Sequence, residues 1–92
     1  MELKDGRFYN IVLSCQGIGA VSRAKDVKIS ELTLNEIEDC QYCDTKPTHR
    51  LTFYDCTCGG IKDLIGSIDK NDENIVFAIS DQKKFIIKEL SK

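Results

Sequence analysis

The chain has 92 residues, 41% of them hydrophobic and 30% charged, with one proline and no tryptophan. Thirteen Lys and Arg stand against fifteen Asp and Glu, a formal net charge of -2. This excludes disorder, collagen-like repeats and a multi-domain enzyme, and the evenly spread charge speaks against a protein that binds nucleic acid through a basic stripe.

In chain order, Met1 to Arg7 alternates charges with no apolar stretch behind it, unlike a secretory signal. The longest apolar run, Ile75 to Ile79, is far shorter than the ~18 residues of a membrane span. The expectation is a cytosolic protein whose thiols stay reduced. Arg7 to Cys15 reads as a strand with Tyr9, Ile11, Leu13 and Cys15 on one face. Gln16 to Gly19 is a turn rather than the start of a dinucleotide fingerprint, because no βαβ unit follows. A second extended stretch runs through Ala20-Val21 and Val27 to Ile29, with a break at Arg23 to Asp26.

Thr33 and Glu36 form a T-x-x-E capping box, which predicts a short helix over Leu34 to Asp39 that buries Leu34 and Ile37. Asp44 to Pro47 is a turn, and Thr48 to Cys58 a strand with Leu51 and Phe53 on its apolar face. Gly59-Gly60 ends that strand. Ile61, Leu64, Ile65 and Ile68 fall at i, i+3, i+4 and i+7, the apolar stripe of a second helix. Asp69, Asp72 and Glu73 mark a solvated loop. Ile75 to Ser80 and Phe85 to Leu90 then form a hairpin around Asp81 to Lys84. The expected fold is a small α+β domain over residues 1–92. It has a mostly antiparallel sheet of about four to five strands and two short helices.

The five cysteines supply the chemistry. Cys40 and Cys43 are spaced C-x-x-C, Cys56 and Cys58 are spaced C-x-C, and twelve residues separate the pairs. Residues i and i+3 lie on the same side at a helix end or in a knuckle, and residues i and i+2 share a face in an extended segment, so the two pairs can converge on one ion. Four thiolates in a tetrahedron make the closed coordination of a structural Zn²⁺. Residues 40–60 thus resemble a zinc knuckle or zinc ribbon, a type of metal site that implies no particular activity. Iron in the same cage, and disulfides or a redox-active C-x-x-C, are the competing readings. His49 is an alternative ligand. Cys15 reads as a small core residue, and a nucleophilic Cys15/His49 pair lacks both an orienting group and an oxyanion site.

With no catalytic constellation, the sequence points to a zinc-stabilised regulatory or adaptor module that binds another protein. An inhibitor of a host enzyme, encoded by a phage or mobile element, is one subclass. Tyr42, Arg50 and Tyr54 are the expected contact residues. The alternative is nucleic-acid binding through the knuckle, with Arg50, Lys46 and Lys62 on phosphate and Tyr42 or Tyr54 stacking on a base. Asp39, Asp44, Asp55 and Asp63 stand among those cations and oppose it.

Overall fold

The computed structural model describes residues 3–4, 6–15, 18–39, 47–70 and 73–90. Its strands are β1 (Phe8–Cys15), β2 (Ile18–Glu31), β3 (His49–Asp55), β4 (Gly60–Lys70), β5 (Ile75–Ser80) and β6 (Lys83–Glu89). They follow chain order around a closed antiparallel barrel. β6 returns to β1, with Tyr9 opposite Glu89 and Cys15 opposite Lys83. Closure pairs every strand on both sides and leaves no sheet edge to recruit another chain. The one described helix, α1 (Leu34–Asp39), lies between β2 and β3.

The expected α+β domain is therefore overturned. The segment read as a second helix is strand β4. Its apolar positions fit either periodicity, but three of the four are isoleucine, whose branched Cβ favours a pleated strand. In β4, Leu64 and Ile68 turn toward the interior with Gly66 between them, while Ile61 turns outward and is 80% exposed. The final turn is also shorter than expected, since β6 begins at Lys83.

Two long strands turn the corners of the barrel. β2 pairs with β1 through residues 18–25 and with β3 through residues 24–31. Between Lys25 and Lys28 it advances three residues while β3 advances two, a β-bulge. Asp26 sits there at φ 55, a left-handed conformation that Asp tolerates better than most residues. The extra residue turns both Ala24 and Val27 into the core, where period two alone would separate them. The break expected at Arg23 to Asp26 is this bulge within one strand. β4 similarly pairs with β3 up to Gly66 and with β5 from Ser67.

The core is the inward row of each strand: Tyr9 and Ile11, Leu51 and Phe53, Ile75 and Phe77, and Ile87. The inward faces read from the sequence for β1 and β3 agree with it at Tyr9, Ile11, Leu51 and Phe53, whereas Leu13 and Cys15 are half-buried and stand outside this cluster, so Cys15 is not the core residue expected. The Thr33/Glu36 capping box forms as expected. Thr33 N–H donates to Glu36 Oε2 at 3.0 Å, and Glu36 N–H donates to Thr33 Oγ1 at 3.2 Å. Leu34 is not buried, however, but 78% exposed. No helix among the described residues is long and apolar enough to cross a membrane.

Candidate partner-binding face

The zinc expected from the cysteine spacing is not borne out among the described residues. Among the described residues no group of three or more His, Cys, Asp or Glu is placed to hold a metal ion. Cys40 and Cys43 lie outside the described residues, as do Tyr42 and Lys46. Cys56 and Cys58 are exposed free thiols. The local cause is Asp55. β3 ends at this buried residue, and its Oδ1 accepts the N–H groups of Thr57 at 2.9 Å and Cys58 at 3.3 Å. Gly59 N–H donates to Asp55 O at 2.7 Å, with Gly59 at φ 78. The backbone from residue 55 to 60 thus closes a tight turn, so the two thiols are not side by side on an extended strand. β2 grips the turn as well: Cys56 N–H donates to Arg23 O at 2.8 Å, and Arg23 N–H donates to Thr57 Oγ1 at 3.2 Å.

Burial alone would push the Asp55 carboxyl upward. The N–H bonds from Thr57 and Cys58, the Cys58 side chain and the Lys62 charge outweigh it and hold the carboxyl below its usual value. A folded value below the unfolded ~3.9 means that this stabilisation is fully present above about pH 4 and is lost as pH falls through the lower folded value. Asp55→Ala strands two donors and is expected to cost about 2 kcal/mol at pH 7. In urea titrations that gap should narrow at pH 2–3. An equal gap at both pH values would show that the charge plays no part.

Arg50 serves the fold. Its Nη1 is 3.7 Å from Glu36 Oε1 on α1, and its Nε is 3.3 Å from Asp63 Oδ1 on β4. Half-buried between two carboxylates, it tethers the helix to the barrel and is poorly placed to reach phosphate. Cys15 and His49 do not meet: Cys15 pairs with the first residue of β2 and His49 with the last.

Tyr54, in contrast, stands on the outer surface in a row the sequence reading missed. Strand parity and register place Phe8, Lys25, Tyr54 and Ile61 side by side across β1 to β4. Arg23 lies over the Phe8 ring at 4.4 Å and Lys25 over the Tyr54 ring at 5.0 Å, both within cation–π range. Parallel to it runs an apolar outer row, Val76, Ile86, Val12 and Val21, directly opposed across β5, β6, β1 and β2. Strands ~4.8 Å apart give this row a span of about 15 Å. Val21 is 60% exposed and the other three are half-buried. Between the rows sit Lys88, Asn10 and Arg23, and Lys84 lies on the far side. No second layer packs on the barrel among the described residues, because extensive contacts join only neighbouring strands.

The sequence did carry a signal for this face. Ile75 to Ile79 is apolar at five successive positions, and Val12 and Val21 put apolar side chains beside Asn10, Ser14 and Arg23 on outer faces. An unbroken apolar run belongs to a strand buried on both faces, and among the described residues only the inner face is covered.

Comparison with known proteins gives no relative to lean on: no family model, no curated protein and no solved structure matches the chain.

Proposed function

We propose that this protein is a binding module for another protein, and that it docks through the outer face of β5, β6, β1 and β2. The observation that carries this reading is the Val76–Ile86–Val12–Val21 row flanked by Lys84, Lys88, Arg23 and Lys25. An apolar centre with a charged rim is the anatomy of a protein interface. The rim is cationic, so the fitting partner has an apolar surface bordered by Asp and Glu. Asp26, exposed beside Lys25, and Asp69, exposed directly opposite Val76, are acidic exceptions on this rim. Nucleic acid fits less well, because one face of both Phe8 and Tyr54 is already covered by a cation and bases stack on open rings.

The test is affinity capture with the wild type, Val21→Asp and the pair Arg23→Glu/Lys88→Glu, each first shown to keep the wild-type melting midpoint. One protein should be retained by the wild type and lost from Val21→Asp, and should bind the charge-reversed pair at least 10-fold more weakly. A partner retained equally by all three overturns the proposed face. Binding of single-stranded oligonucleotides that weakens steeply with salt overturns the protein-partner reading.

A further inference from the structure

A cavity of about 340 Å³ opens at the end of the barrel where β2 finishes and β3 and β5 begin. This is within the usual range of small-ligand pockets, about 300–1,000 Å³, and barrel mouths are a frequent place for them. Leu3, Ile29, Ile68 and Ile75 make its apolar part, and Glu31, His49 and Lys70 its polar part.

The polar groups carry opposite charges at fixed places. Glu31 and His49 are direct cross-strand partners, which sets their Cβ atoms roughly 5 Å apart. Lys70 comes from β4, opposite Ile75. His49 Nδ1 is bonded to Thr48 Oγ1 at 2.8 Å, which leaves Nε2 as the ring nitrogen for a ligand. Among the described residues neither Glu31 nor Lys70 has an ion-pair partner. Among the described residues the site therefore offers one carboxylate, one ammonium and one imidazole around an aliphatic floor.

We propose that this mouth binds a small zwitterion with an aliphatic tail, the chemical class of the free aliphatic α-amino acids. The ligand ammonium meets Glu31, its carboxylate meets Lys70 and His49, and its side chain covers the isoleucines. A fatty acid would set its carboxylate against Glu31, and a simple amine would set its charge against Lys70. Only a zwitterion satisfies both. The site shares no residue with the outer docking face and stands or falls independently of it.

The experiment is a titration of the isotope-labelled full chain, followed by amide chemical shifts. The probes are L-leucine, N-acetyl-L-leucine, L-leucinamide and octanoate. Leucine is expected to give saturable shifts at Ile29, His49, Ile68 and Ile75. The two blocked derivatives and octanoate should bind at least 10-fold more weakly. Glu31→Gln and Lys70→Gln, whose spectra report that the barrel is intact, should each weaken leucine at least 10-fold. No saturable shift with leucine up to about 10 mM, where even a millimolar site would fill, overturns the proposal. Equal binding of all four probes, or leucine binding unchanged in both variants, overturns it too.

Discussion

Replacing Gly66 by Ala is expected to cost about 3 kcal/mol, read as a fall of roughly 12–24 °C in the melting midpoint. Gly66 lies where β4 leaves β3 for β5, opposite His49 and one residue before the pair Ser67–Ala78. It is buried, and its carbonyl accepts the Thr48 N–H at 3.0 Å. A methyl group there would press into the carbonyl of Ala78 and come within 2.9 Å of Phe77 Cε1. Phe77 is fully buried, and a backbone carbonyl cannot rotate aside as a side chain can. Relief therefore requires β4 and β5 to separate where they begin to pair, which places the change at the upper end of the overpacking range. Gly60→Ala is the control, since an added methyl there meets nothing within 4 Å and its melting midpoint should stay near the wild-type value. A Gly66→Ala midpoint within about 3 °C of wild type would show that the close approach does not exist in solution.

Gly66 also shows why part of the fold was legible in the sequence and part was not. β1 and β3 announce themselves because Tyr9 and Ile11, and again Leu51 and Phe53, recur at period two, and that period belongs to strands. The Thr33/Glu36 cap is equally local and reads directly. The spacing of β4 does not discriminate, because Ile61 and Ile65 face outward and fill the places a helical stripe would need. The glycine that counts weakly against a helix is here a tertiary requirement, set by Ala78 and Phe77 and invisible without them. The cysteine spacing misled for a related reason. Two thiols at i and i+2 share a face only if the strand continues, and the Asp55 carboxylate ends it by capturing the next N–H groups. The candidate docking face was hidden because register across four strands, rather than any one segment, assembles it.

Asp26→Ile is expected to cost about 2 kcal/mol, read as a fall of roughly 8–16 °C in the melting midpoint, whereas Asp26→Gly should leave stability within about 1 kcal/mol of wild type or slightly above it. Asp26 holds φ 55 as the extra residue of the β2 bulge. A left-handed backbone crowds any Cβ, and a branched one most, while Asp tolerates it and Gly adopts it freely. Asp26→Gly therefore keeps the extra residue and removes only that strain. Deleting Asp26 is a different test, because it leaves Lys25, Val27 and Lys28 opposite Tyr54, Phe53 and Thr52 in an unbroken ladder. Side chains then alternate with Ala24, Val27 and Ile29 still inward, so the deletion variant should fold cooperatively. What it loses is the added twist that a bulge gives β2 where the strand passes from β1 to β3. Thermal melts followed by far-UV circular dichroism distinguish the outcomes, and an Asp26→Ile midpoint equal to that of wild type would show that the left-handed conformation does not exist in solution. With the extra residue in place, the bulge lets Val21, Arg23 and Lys25 face outward toward the candidate docking face while Ile29 and Glu31 face the barrel mouth. A β2 of this same sequence without the bulge could not present both sets at once, so the bulge at Asp26 is how the sequence serves both proposed sites.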